Sequence, residues 1–282
     1  MAGLFGFLDF TKEGPGIKKD GPKKKAFFVF FETYFRNFWR FILINLVYVC
    51  LSLPIITGGM AAAGLTNVAR NIARDKHSFG LSDFFDTIRK NWKQSLTVGI
   101  INTILTAIIG FAVYIYFNSY INPETQTLFN LAGFAVSLAV AAVFIMMQFY
   151  MYTLMITFSF STKTLYVNSF KFAFINLWRN LLCGILLIAT VGVYVGIFVI
   201  ALYTIPQYIF AVLFTELIVG AITLPAFQYL MIQFFTFGSI KKYIIDPYYA
   251  EHPDDDIEKR RDLGLEVPQQ EDDYEYEDMS WE

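Results

Sequence analysis

Glu216 is the residue of this 282-residue chain best placed to do chemistry, because it stands alone in a long apolar segment. It lies about ten residues beyond a turn at Pro206, a rise of about 15 Å that reaches the middle of a bilayer. An ionised carboxylate is costly at that depth, so Glu216 should face the protein interior. Two interpretations are open: a structural hydrogen bond between helices, or a site for a proton or a substrate.

Polar side chains on other apolar segments, or further along its own, are candidate partners for this carboxyl group. They are Asn45, Asn102, Gln148 and Gln228. We therefore predict a candidate intramembrane polar site formed by Glu216, Asn102, Gln148 and Gln228.

Motifs of known enzyme classes are missing from the sequence. It contains no Walker loop, HExxH, GxSxG or CxxC motif, and two cysteines and two histidines are too few for a disulfide framework or a Cys/His zinc site. We expect no enzymatic activity, no catalytic residue, no metal, no cofactor and no nucleic-acid partner.

The composition points to a membrane protein. Hydrophobic residues make up 56% of the chain and charged residues 16%, whereas about 25% are charged in soluble domains. The charge is also unevenly distributed, since fifteen acidic and only three basic residues lie from Asp246 onward. We predict a cytoplasmic basic amphipathic arm over residues 1–30, a transmembrane domain over 31–240 and an acidic cytoplasmic tail over 241–282.

The spacing of Lys and Arg predicts how the chain crosses the membrane. Three long gaps without basic residues are each flanked by them, so each gap should cross an even number of times. The prediction is an all-α membrane bundle of six spans in three tandem hairpins, at about 38–56, 60–75, 96–118, 127–158, 181–203 and 208–236. The first gap is short, about 29 residues, so the first hairpin is either a short crossing or re-entrant.

A weak threefold pattern marks the start of each hairpin: Phe, seven residues, Trp, a basic residue, two residues, Leu. It begins at Phe31, Phe84 and Phe170. The pattern indicates either tandem repeats or convergent interface chemistry, because tryptophan and cations both favour the headgroup region. Residues 81–92 also have the spacing of an amphipathic helix, which would lie in the interface or dock a partner. The candidate cytoplasmic interface comprises Trp39, Arg40, Phe84, Phe85, Trp92, Lys93, Trp178 and Arg179.

Several segments resemble the bacterial YesL-like membrane protein family over roughly residues 1–240. They are Gly14-Pro15-Gly16, Gly21 to Lys25, Phe31-Glu32, Phe38-Trp39, Leu53 to Gly58, Ser82 to Phe85 and Asn91 to Lys93. The family has no established activity, and the resemblance implies an association with carbohydrate uptake and glycan utilisation.

From these features we expect a multi-pass protein of a bacterial plasma membrane with both termini cytoplasmic. Its partners would be the lipid bilayer and a carbohydrate transporter or another membrane or cytoplasmic protein, for which it is an accessory or partner-binding subunit. Two alternatives are open: a small-molecule transporter or channel using Glu216, or a permease-like subunit coupled to an ATPase through Leu81 to Lys93, although the usual Glu-Ala-Ala coupling loop is absent.

Overall fold

The computed structural model describes residues 25–76 and 78–252, and the regular structure in this part of the chain is entirely helical, as predicted. Most of the predicted basic arm and acidic tail, residues 1–24 and 253–282, lie outside the described residues. The helices are α1 Ala26–Arg36, α2 Phe38–Ser52, α3 Gly58–Ala73, α4 Leu81–Ile121, α5 Leu128–Thr157, α6 Thr162–Ile175, α7 Leu177–Thr204, α8 Ile209–Ile240 and α9 Asp246–Glu251. A 3₁₀ turn, Pro206–Tyr208, precedes α8, and a π-helical turn, Lys241–Ile245, joins α8 to α9.

Four of the described helical segments are long and apolar enough to cross a membrane: α4, α5, α7 and the segment Pro206–Glu251 that contains α8. Each of the first two predicted spans is also a helix, α2 and α3. However, α2 has 15 residues and extends only about 22 Å, less than the apolar layer of a bilayer. The next helix, α3, has 16 residues and is rich in Ala and Gly rather than in large apolar side chains. Length and composition therefore establish four candidate spans and leave the predicted six spans and three hairpins open.

The centre of the bundle is α3, although it is one of the shorter helices. It packs most extensively against α4 and also contacts α1, α2, α5 and α8. Its small side chains allow close approach: a Cβ added to Gly64 would lie 2.8 Å from the ring of Phe84, and one added to Gly99 of α4 would lie 2.8 Å from Gly59 Cα. Small residues thus set the distance between α3 and α4, as they do between many membrane helices.

The buried side-chain amide of Asn45 supplies hydrogen bonds to α8 beside Pro225. Pro225 lies inside the helix and has no N–H to donate, so the ladder is weakened there. The side chain of Asn45, fully buried on α2, donates to Ile222 O at 2.8 Å and accepts from Ala226 N at 2.8 Å. In a regular helix the Ile222 carbonyl would accept from the Ala226 N–H. Here the Asn45 amide bonds both groups instead, and in doing so it joins α2 to α8.

The three copies of the aromatic pattern differ in local structure. In the first and third copies an asparagine two residues before the tryptophan separates a short helix from the following one, at Asn37 (φ −108°) and at Asn176 (φ −123°). In the second copy α4 runs without a break through Trp92. The predicted helix over 81–92 is therefore the first part of a 41-residue helix about 62 Å long.

Candidate functional site

Two of the four predicted intramembrane polar residues lie together. Asn102 of α4 donates to Gln148 Oε1 of α5 at 2.8 Å, and its own Oδ1 accepts from the hydroxyl of Tyr166 in α6 at 2.7 Å. A third neighbour, Met151 Sδ, lies 3.6 Å from Asn102 Nδ2. These contacts link three helices through one amide that is 8% exposed, an arrangement that holds helices together in lipid.

The other two predicted residues lie elsewhere and do not join this cluster. Gln228 of α8 donates to Thr190 Oγ1 of α7 at 3.0 Å. Glu216, near the first third of α8, has a buried Oε1 with no hydrogen-bond partner among the described residues. The structure therefore divides the predicted site into an α4–α5–α6 cluster, an α7–α8 contact and an isolated carboxyl group.

Most of the predicted interface residues lie on the surface. We use the name basic end for the region that contains Arg70, Arg74 and Arg179, which line one cavity, and Arg40, which lies beside Gly80 at the start of α4. Trp39 is 81% exposed and Trp178 is 83% exposed, while Trp92 and Phe85 are about half exposed. Arg40, Lys93 and Arg179 are also exposed. We use the name aromatic surface for Trp39, Phe85, Trp92 and Trp178, which project from three different helices.

Phe84 does not belong to this surface, so its assignment to the interface was wrong. Its side chain is fully buried and packs on Gly64 of α3. The apolar stripe of residues 81–92 was attributed to contact with the membrane interface or a partner. Part of that stripe instead packs against α3, where Phe84 lies on Gly64 and Asn67 donates to the Asp83 carbonyl at 3.5 Å.

The start of α4 is held by a compact set of polar contacts. Asp83 accepts from the backbone N–H of Phe79 at 3.1 Å and from the Ser78 hydroxyl at 2.8 Å. Gly80 has φ +64°, which favours glycine, and its N–H donates to Ser78 Oγ. An acid in the first turn that reaches back to a preceding N–H is a recognised helix start, and it orients the aromatic residues of α4.

Sequence reasoning missed the side chain of Asn180 and its partner, the hydroxyl of Tyr150. Asn180, buried on α7, donates to the carbonyl oxygens of Phe172 and Ala173 at 2.9 and 3.1 Å. Its Oδ1 accepts from the hydroxyl of Tyr150 at 2.7 Å. It thus caps the carboxyl end of α6 and ties α6 and α7 to α5. Its position two residues after Trp178 was visible in the sequence, but its partners required the fold.

Comparison with known proteins gives one partial match. Residues 41–115, which cover most of α2, all of α3 and α4 up to Ile115, are similar to a family described as protein of unknown function, DUF624. This match is compatible with the YesL-like resemblance. No curated protein and no solved structure matches the chain. Together, fold and comparison describe a helical protein with four potential membrane spans that shares a segment with an uncharacterised family.

Proposed function

We propose that this chain is a multi-pass bacterial plasma-membrane protein that acts as an accessory or partner-binding subunit in carbohydrate uptake or glycan utilisation. The observation that carries the partner-binding role is the aromatic surface. Its two most exposed tryptophans, Trp39 and Trp178, are each more than 80% exposed and are each followed by an arginine. Exposed aromatic residues with adjacent arginines are typical of protein interfaces. The link to carbohydrate rests on the YesL-like resemblance.

The intramembrane polar residues are consistent with a structural role. Asn45, Asn102, Gln148 and Gln228 all bond another helix, so the hydrogen bonds of these amides already connect the bundle. Such bonds stabilise membrane helix packing by about 0.6 kcal/mol on average. A rigid bundle would present the aromatic surface in a fixed arrangement.

In the proposed topology both termini are cytoplasmic, and α2 and α3 form a short pair that adds two crossings to the four long ones. The positions of Lys and Arg support this orientation. We expect Glu124→Cys and Gln207→Cys, in a background without Cys50 and Cys183, to react with an impermeant thiol reagent from outside the cell. Asp86→Cys, exposed near the start of α4, should react only after permeabilisation. Labelling of position 86 from outside the cell would contradict the proposed orientation.

Partner binding is tested by placing a photo-crosslinking amino acid at position 39 or 178 in native membranes. A matched control carries the same amino acid at position 108, where Ile108 is 60% exposed on the apolar part of α4. We expect discrete protein adducts from 39 and 178 and none from 108, with a carbohydrate-uptake or glycan-utilisation component among them. Adducts to lipid alone at both tryptophans would reject partner binding, and partners of unrelated systems would reject the carbohydrate role.

Glu216 supports a second candidate function, a transporter or channel. Its buried Oε1 has no hydrogen-bond partner in the described part of the chain, as expected of a carboxyl group that exchanges a proton or binds a cation. The test is the uptake phenotype of Glu216→Gln, which preserves the shape of the side chain and removes its ionisation. Loss of uptake in a normally expressed and stable variant would favour this function over the accessory role.

A further inference from the structure

Three arginines converge on a cavity of about 190 Å³ between the ends of α3, α7 and α8. Arg70 and Arg74 come from the end of α3, and Arg179 from the first turn of α7. Gln233, Phe234 and Phe237 of α8 complete most of its wall. Within residues 25–76 and 78–252, none of the residues lining this arginine cavity is acidic.

Arg74 has unused hydrogen-bonding capacity in this cavity. Its guanidinium lies over the ring of Phe237, 3.8 Å from the centroid, and its Nε and Nη2 are buried without a hydrogen-bond partner among the described residues. The nearest acid in sequence, Asp75, is exposed and forms an ion pair with Arg36. A buried guanidinium is stable only when its donors are satisfied and its charge is balanced, so Arg74 indicates a missing anion.

The other two arginines are held in place by neighbouring atoms. Arg70 donates to Thr157 Oγ1 at 2.8 Å and to Asn67 Oδ1 at 2.7 Å. Arg179 donates through Nη2 to Phe234 O at 3.1 Å. Burial, and to a lesser extent the charge of Arg70, lowers the pKa of Arg74 to about 9, so the cavity disfavours the charge of Arg74 when nothing balances it. The three guanidinium groups are thus positioned before any ligand arrives.

An apolar groove of about 500 Å³ lies next to the arginine cavity. It runs between α1, α7 and α8, and Arg179 and Phe234 line both spaces. The rest of its wall is almost entirely hydrocarbon, including Phe27, Phe30, Leu186, Ala189, Val193 and Phe227. A ligand that fills both spaces must therefore carry an anionic group at one end and an apolar chain at the other.

We propose that the arginine cavity binds the phosphate of an anionic phospholipid and that the apolar groove holds an acyl chain of the same molecule. Guanidinium groups bind phosphate oxygens in pairs of parallel hydrogen bonds, so Arg74 and Arg179 can share one phosphate. The cavity lies at the basic end, and cytoplasmic leaflets are rich in anionic headgroups. This site is independent of the proposed carbohydrate role.

The test is native mass spectrometry of the full chain in maltoside micelles with dioleoyl phosphatidylglycerol, and with dioleoyl phosphatidylcholine as the zwitterionic comparison. We expect retention of phosphatidylglycerol and little phosphatidylcholine. Arg74→Gln and Arg179→Gln should each weaken phosphatidylglycerol binding about tenfold, the equivalent of one charge-assisted hydrogen bond. Arg89→Gln, which removes the same charge from an exposed position on α4, is the matched control and should bind normally.

Ala189→Phe fills the groove without touching an arginine and should also weaken binding of the lipid. Inorganic phosphate, added as a competitor, should not displace it. Equal retention by the wild type, Arg74→Gln and Arg179→Gln would overturn the proposal. Displacement by inorganic phosphate together with normal binding by Ala189→Phe would also overturn it, because the cavity would then take free phosphate. Arg179→Gln, at an exposed position, provides a test that does not depend on the stability of the Arg74 variant.

Discussion

The contact between Gly59 and Gly99 allows a direct test of how α3 is held in the bundle. A Cβ on Gly99 would lie 2.8 Å from Gly59 Cα and 3.0 Å from Gly59 N, against about 3.5 to 4.0 Å for an ordinary carbon contact. The nearest atoms belong to the backbone of α3, so no side chain can rotate away. Gly99→Ala should force α3 and α4 apart by up to about 1 Å.

The expected cost of Gly99→Ala follows from two opposing contributions. Overpacking typically destabilises by about 1 to 3 kcal/mol, whereas alanine in place of glycine stabilises a helix by about 0.5 to 1 kcal/mol. The net loss is about 0.5 to 2 kcal/mol. The matched control is Gly110→Ala in the same helix, where the added Cβ has open space around it. This variant should gain the helix stabilisation of alanine without any steric clash.

The free energy of unfolding of both variants is measured by reversible SDS titration in mixed micelles, with tryptophan fluorescence as the signal. We expect Gly99→Ala to be less stable than Gly110→Ala by about 1 to 3 kcal/mol. Gly59→Ala should behave like Gly99→Ala, and the two together should be non-additive because they disrupt one contact. Equal stability of Gly99→Ala and Gly110→Ala would refute the close packing of α3 on α4.

Three further predictions concern polar residues. Asn45→Ala leaves the Ile222 carbonyl and its partner N–H without the amide, and should lower the unfolding free energy by about 1 to 3 kcal/mol in the same titration; no change would mean that α8 closes its own ladder. Glu216→Leu should keep or increase thermal stability in maltoside, because the carboxyl oxygen it removes has no partner among the described residues, and a clear loss would reveal a missed hydrogen bond. The lowered pKa of Arg74, about 9, means that its charge destabilises the unliganded fold at neutral pH and that this penalty falls as the pH rises through about 9. Arg74→Met should therefore raise the unfolding temperature at neutral pH and less so above about pH 9, and a constant difference would contradict the charge penalty.

The positions of the long helices could be predicted because their physics is local. Apolar stretches of sufficient length and the proline turns near Pro123 and Pro206 determine where α4, α5, α7 and α8 begin and end. The central place of α3 could not be predicted in this way. Its side chains are small, and it is buried because the next helix, α4, packs along it while α8, from a distant part of the chain, covers it as well.

The polar contacts were only partly accessible from sequence. Polar side chains in lipid need hydrogen-bond partners, and this requirement identified Asn102 and Gln148 as site residues. The sequence could not indicate that these two amides would bond each other. Arg70 entered the prediction only as a basic residue that flanks a long gap, since nothing local places Arg179 beside it. Phe84 was misassigned because an apolar stripe has the same spacing whether it contacts lipid headgroups or another helix.

The amide of Asn45 also imposes an order on biosynthesis. Its two partners in α8 follow it by 177 and 181 residues, so at about 5 to 20 residues per second they are made about 10 to 35 s later. Throughout that interval α2 must keep a strongly polar group satisfied by other means, through water, the insertion machinery or a chaperone. The hydrogen bonds of α2 are therefore complete only once α8 has been made. If translation stops before Ile222, the Asn45 amide lacks its partners in α8, and α2 becomes a target for membrane proteases.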